Sequence, residues 1–128
     1  MSSGYEELEV NGSPKVARLK VTTSAGNVNV TKDDNNVVVY KITNITLGTH
    51  TFYSADYNAS GPDPLASLWK VSGGTWTHLS KDDSKGSSSL GIDHFKITWD
   101  IDDLSAEYYL CVRNYNSANG TEGDVYVY

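Results

Sequence analysis

Hard oxygen ligands are the first chemistry this chain offers. Glu7, Glu9 and Asn11 alternate along Glu7-Leu8-Glu9-Val10-Asn11, so an extended backbone sets all three on one face. Asp33-Asp34-Asn35-Asn36 stands in a turn ahead of an apolar run, and Asp82-Asp83 and Asp100-x-Asp102-Asp103 make further acidic turns. Calcium takes about six to eight oxygens from such side chains and from carbonyls. Each cluster therefore reads either as part of a calcium site or as a solvated turn.

Nucleophilic chemistry is thinly represented. There is no G-x-S-x-G, no P-loop, no G-x-G-x-x-G and no H-E-x-x-H. His50, His78 and His94 are scattered and read as surface residues. Cys111 is the one cysteine, so no internal disulfide is available; with only Arg113 as a basic neighbour it reads as a free thiol. Carboxylates are plentiful, but nothing pairs two of them for glycoside hydrolysis. The chain reads as a non-enzymatic protein.

Aromatic groups are the other resource. Nine Tyr and three Trp stand against two Phe. Tyrosine joins apolar area to a polar tip and suits surfaces that bind. The charge narrows the partners: 10 Lys+Arg against 16 Asp+Glu give −6. A nucleic-acid binder needs a basic face to neutralise phosphates, and an anionic membrane asks for the same. The longest strongly apolar run, Val37–Tyr40, is far short of a bilayer span. Met1–Gly12 has neither the basic start nor the apolar stretch of a signal peptide. Sequons at Asn11, Asn29, Asn44, Asn58 and Asn119 fit either an extracellular setting or simply an Asn- and Thr-rich β-protein.

Strands must position these groups, because the periodicity is two nearly everywhere. Ala17, Leu19 and Val21 alternate with polar residues, as do Val28 and Val30, then Val38, Tyr40 and Ile42. Phe95, Ile97, Trp99 and Ile101 follow, then Leu110 and Val112, then Val125 and Val127. Turn clusters recur at short spacing, including Asp33–Asn36, Gly73-Gly74, Asp82–Ser89 and Asn116–Gly120. The expected fold is all-β: one antiparallel β-sandwich domain over residues 1–128, jelly-roll-like.

Two hairpins can be registered. A two-residue loop at Gly73-Gly74 sets Val71 opposite Trp76, Trp69 opposite His78 and Leu68 opposite Leu79. Trp69 and Trp76 then share a face, either as core residues or as a platform for a sugar ring. The second hairpin joins Glu107–Tyr115 to Glu122–Tyr128 across Asn116–Thr121, with Arg113 facing Asp124 and Tyr109 facing Tyr128. It predicts an outward face of Tyr109, Arg113, Tyr115, Tyr126 and Tyr128, which either packs on a solvated sheet or binds a partner.

The order of these features resembles the bacterial pre-peptidase C-terminal domain, a small β-sandwich appended to secreted proteases, with which the collagen-binding domains of clostridial collagenases belong. The matching elements are E-x-E-x-N (Glu7, Glu9, Asn11), the acidic turn Asp33–Asn36 and Gly48-Thr49-His50-Thr51-Phe52. The strand Asp63–Lys70, Asp82-Asp83 with Gly86, Tyr108–Val112 and Gly123–Tyr128 follow in order. The resemblance implies calcium held jointly by Glu7, Glu9, Asn11, Asp33 and Asp34 or Asn36, ordering residues 1–14. It also implies a tyrosine-bearing sheet face that binds ligand, and a secreted setting. The expected function is a binding module for an extended polymer, either matrix protein or polysaccharide, with Arg113 and Asp124 orienting it. The alternative is an assembly protein, monomer or homodimer, whose tyrosine face is a subunit interface.

Overall fold

The computed structural model describes residues 4–58, 60–86 and 90–128. The first residues of the N-terminal segment, Ala59 of the Asn58 sequon and the end of the Asp82–Ser89 turn lie outside the described residues. The alternating segments become nine strands: β1 Glu6–Glu9, β2 Lys15–Leu19, β3 Val38–Thr43, β4 Gly48–Asp56, β5 Pro64–Ser72, β6 Thr75–Asp82, β7 Lys96–Ile101, β8 Glu107–Asn114 and β9 Gly123–Val127. Among the described residues no helix is long and apolar enough to cross a membrane.

Two sheets pack face to face. One has the order β1-β3-β8-β5-β6 and the other β2-β9-β4-β7. Pairing is antiparallel except where β1 runs parallel to β3. From β2 onward every connection crosses from one sheet to the other, save β5 to β6. This is the jelly-roll arrangement, which folds two Greek keys into one sandwich. The inward residues of both sheets make the core: Leu19, Tyr40, Phe52, Leu68, Phe95, Ile97, Tyr108, Leu110, Val125 and Val127 are all buried there. Alternate positions on each strand supply this set, which is why period two was readable.

The β5–β6 hairpin has the expected register near its turn. Val71 faces Trp76 and Trp69 faces His78. Gly73 and Gly74 have φ of 57° and 79°, the double positive φ that a tight hairpin loop requires. Leu68, however, faces Ser80 rather than Leu79, because a bulge follows it.

The second expected hairpin does not exist. β8 pairs with β3 and β5, whereas β9 lies in the other sheet between β2 and β4. Asp124 faces Arg18 of β2, not Arg113, and Arg18 pairs with both Asp124 and Glu122. Leu110 and Val112 still meet Val125 and Val127, but across the core rather than along a ladder. Val28 and Val30 form no strand either; the segment from Lys20 to Val37 is a long connection.

That connection closes over the outer face of the β8 sheet. Val30 is buried against Val39, Leu65, Val71, Tyr109 and Cys111, so β8 is covered on both sides. Val30 donates its N–H to Ser67 Oγ at 2.9 Å and accepts Trp69 Nε1–H at 2.7 Å. Arg113 does the rest. Its side chain is fully buried, with Nε donating to Asp34 Oδ2 at 2.9 Å and Nη2 to the Ala25 carbonyl at 2.7 Å. Nη1 donates to the carbonyls of Asn114 at 3.0 Å and Tyr115 at 2.7 Å. Arg113 thus points away from the core, as its parity requires, but under a roof instead of into solvent.

Removing one partner of a buried, hydrogen-bonded ion pair costs about 3–5 kcal/mol, because the other charge is left uncompensated. Arg113→Ala is expected to lower unfolding free energy by that amount in denaturant titration. Cys111 reports the roof independently: burial first, then the Asp34 and Asp33 carboxylates, push its thiol up to about 12. A thiol reagent at neutral pH should label it only as the wild type unfolds, and faster in Arg113→Ala. Rapid labelling of the native wild type would contradict the roofed arrangement.

Candidate functional site

Among the described residues, the outer face of the β2-β9-β4-β7 sheet carries no such roof. β9 presents Tyr126 outward between the buried Val125 and Val127, and Tyr128 follows it on the same parity. β4 lies beside it, with Ser54 opposite Val127 and Ala55 opposite Tyr126. Tyr53 and Tyr57, on the same parity, therefore stand next to the β9 tyrosines. Tyr53 stacks on Tyr128 with centroids 4.6 Å apart and planes 7° from parallel. Tyr57 meets Tyr126 edge to face at 5.0 Å, and Tyr126 and Tyr128 are 6.3 Å apart. The result is one continuous row, Tyr57–Tyr126–Tyr128–Tyr53. Aromatic contacts of this kind contribute about 0.5–1.5 kcal/mol each beyond their buried area, so the rings hold each other in place without a ligand.

The row presents edges. Parallel rings only 4.6 Å apart must face one another, so the sides of Tyr53 and Tyr128 that meet are closed. Among the described residues none of the four hydroxyls has a hydrogen-bond partner. The surface is thus a line of ring edges and free phenol groups, bordered by Arg18, Glu122 and Asp124 across β2 and β9. At its Tyr53–Tyr128 end it opens into a cleft of about 690 Å³ that Glu9, Asn11, Leu47 and His50 help to line. Beside Tyr53, between β4 and Lys96, lies a second depression of about 340 Å³.

The sequence-derived ligand face is therefore divided. Tyr126 and Tyr128 lie on this row. Tyr109 is buried on the opposite outer face, Arg113 lies under the roof, and Tyr115 packs beneath Gly26, where an added Cβ would overlap its ring. Trp69 and Trp76 are on that opposite face too, 6.2 Å apart and at 63°. Tyr53 and Tyr57 complete the row and carried no local signal. Only the long-range pairing of β4 with β9 brings them there.

The calcium ligands inferred from the resemblance do not come together. Parallel pairing sets Glu9 beside Thr43 at the end of β3, whereas Asp33–Asn36 precede its start at Val38. From Glu9 the six residues of β3 intervene, about 20 Å, and from Glu7, beside Lys41, about half of that. Other roles occupy the second group. Asp34 holds Arg113 and caps Thr31, Asp33 pairs with Lys32, and Asn36 donates to the Val21 carbonyl. Asn11 and Asn36 also sit at positive φ, 58° and 57°, which asparagine tolerates in tight turns. The residues present do not fit one shared ion, and among the described residues no group of three or more His, Cys, Asp or Glu is arranged for a metal.

The other acidic turns are capped. Asp82 Oδ2 accepts N–H groups from Ser84, Lys85 and Lys96. Asp103 accepts from Ser105 and pairs with Lys70; the Ser105 hydrogen bond first, then Lys70, hold its carboxyl at about 2.

His94 overturns its surface reading: it is fully buried. Its Nδ1 lies 2.7 Å from Ser54 Oγ and its Nε2 2.7 Å from Asp56 Oδ1. A neutral ring satisfies both, with Ser54 O–H donating to Nδ1 and Nε2–H donating to Asp56. The pattern is that of a Ser-His-Asp relay, but Ser54 is 1% exposed and its Oγ also accepts the Phe95 N–H. It works as a clasp, tying the β6–β7 connection to β4 across forty positions of sequence, which no local motif records.

Asp63 is an acidic group with no counter-charge among the described residues. Burial first, then the Asp93 and Asp83 carboxylates, raise it from 3.8 to about 6. Folding thus favours its protonated form. The penalty is absent below 3.8, grows through the window up to about 6 and is full above it. Asp63→Asn is expected to raise the melting temperature by a few degrees near neutral pH and to leave it unchanged below about pH 3.5. Equal shifts at both values would assign the effect to packing instead.

The chain matches no protein-family model, no curated protein and no solved structure.

Proposed function

We propose that this domain is a non-enzymatic binding module that holds an extended polypeptide, such as a segment of a matrix protein, along its tyrosine row. One observation carries the reading: four tyrosines on neighbouring strands join in a row whose rings are braced by each other and whose hydroxyls have no partner among the described residues. A polysaccharide is recognised through broad aromatic faces laid against sugar rings. Here the stacked pair closes one face of each of its rings. A polyproline-type chain has a fully solvated backbone with unpaired carbonyls, and aromatic-lined surfaces recognise it with little ordering cost. Phenol groups at the ring edges supply donors to those carbonyls. The resemblance to pre-peptidase C-terminal domains supports the same class of partner and a secreted setting.

A second reading has its own support. Val16 is 46% exposed and lies opposite Tyr126, so the row continues into an apolar rim. The same face then suits a copy of itself, with Arg18 of one chain against the acidic side of the other. Sedimentation velocity distinguishes the two: a stable dimer that Tyr126→Ala disperses favours assembly, and a monomer leaves the polymer reading in place.

The binding test uses proline-rich and collagen-like peptides beside neutral polysaccharides. Tyr53→Phe and Tyr128→Phe remove only the hydroxyls. Each is expected to weaken peptide binding up to about tenfold, the worth of one hydrogen bond, whereas Tyr126→Ala with Tyr128→Ala abolishes it. Full affinity in the Phe variants, or binding of polysaccharide alone, would show that ring faces do the work.

A further inference from the structure

We propose that the corner between Trp69 and Trp76 is a separate seat for one neutral sugar ring. It lies on the opposite outer face from the tyrosine row, where the β5–β6 hairpin meets the β2–β3 connection. Thr31, Lys32, Asp33 and the two indoles enclose about 220 Å³. That is below the about 300–1,000 Å³ of clefts that take drug-sized ligands, so it accommodates a single ring.

The corner is built before any ligand arrives. Trp69 is fixed by its Nε1–H bond to the Val30 carbonyl at 2.7 Å and by His78 packed at 5.0 Å. Trp76 leans on Tyr109 with centroids 4.7 Å apart, which backs one side of its ring. Its own indole N–H has no partner among the described residues and remains a donor. Binding here immobilises little that is not already fixed.

Charge selects the class of ligand. Lys32 Nζ stands 5.8 Å from the Trp76 ring centre and 2.9 Å from Asp33 Oδ2. A cationic ligand would meet the ammonium, and an anionic one would meet the carboxylate. A neutral molecule with an apolar face and adjacent hydroxyls meets neither penalty. Its C–H face packs on indole, while neighbouring hydroxyls donate to Asp33 and accept from Lys32. Both charged groups stay paired and hydrogen-bonded, with Asp33 80% exposed at the rim.

The test follows tryptophan indole N–H signals in nitrogen-15 spectra while neutral sugars are added: glucose, galactose, mannose, N-acetylglucosamine and their disaccharides. The Trp76 signal is expected to move saturably with at least one sugar, while that of Trp99 stays still. Asp33→Asn, at an exposed position, should weaken the effect by about tenfold or more through loss of a charge-assisted hydrogen bond. Tyr126→Ala with Tyr128→Ala should leave it unchanged, which separates this seat from the tyrosine row. No indole shift with any sugar into the tens of millimolar overturns the proposal. So does a shift indifferent to Asp33→Asn, or one produced by proline-rich peptides and not by sugars.

Discussion

The guanidinium of Arg113 is the point on which the asymmetry of this sandwich turns. A flat antiparallel sheet with two outer faces would expose β8 on one side. Instead Arg113 reaches out of the sheet and collects Asp34 and the Ala25 carbonyl from the long connection, together with the carbonyls that end β8. A buried charge is expensive unless it is paired and its donors are satisfied. The connection meets that demand in the conformation that lays Val30 against Leu65 and Cys111. The polar clasp fixes where the chain goes, and the apolar burial beneath it adds stabilisation. The corner at Trp69 and Trp76 is a product of the same closure, since Thr31, Lys32 and Asp33 of that connection help to line it.

The opposite sheet has no counterpart to Arg113. Its outer polar pairs, Arg18 with Glu122 and Asp124, are solvent-exposed and contribute at most about 1 kcal/mol each. They leave the face open. Its aromatic groups consequently behave differently from those under the roof. Tyr109 and Tyr115 bury their rings beneath backbone, whereas Tyr53, Tyr57, Tyr126 and Tyr128 can satisfy one another only in part and keep their hydroxyls outward.

Much of this was legible in the sequence, and the failures share one cause. Period two gives the face on which a residue lies, so the inward valines of β9, the aromatic alternation of β7 and the outward parity of Arg113 were all readable. It does not say to which sheet a strand belongs. In a jelly roll successive strands mostly change sheets, so the Asn116–Thr121 loop, which looks like a hairpin, is a crossing. The Gly73-Gly74 loop was read correctly because two glycines at positive φ are themselves the hairpin. Parity also cannot distinguish solvent from a covering loop, and the Lys20–Val37 segment has no pattern that announces it as a cover. The carboxylates and amides misled for a related reason. An Asp or Asn in a turn serves as cap, αL residue or metal ligand with the same local sequence, and only Arg113, seventy-nine positions from Asp34, decides among them.

The crossing that defeated the hairpin reading is also what creates the tyrosine row. Had β9 folded back on β8, Tyr126 and Tyr128 would have joined Tyr109 on a face that Val30 and its neighbours cover. Because β9 instead enters the second sheet, it lies between β2 and β4, and Tyr53 and Tyr57 become its lateral neighbours. Strand spacing of about 4.8 Å is too close for two phenol rings to lie flat side by side. Rings on directly paired residues can instead stack upright, as Tyr53 and Tyr128 do at 4.6 Å. The close stacking of Tyr53 and Tyr128 is thus a geometric consequence of topology. Indoles one diagonal apart in a bulged hairpin escape that constraint, meet at 63° and leave a corner. The two outer faces offer different aromatic surfaces because Tyr53 and Tyr128 are directly paired, whereas Trp69 and Trp76 meet across a diagonal beside a turn.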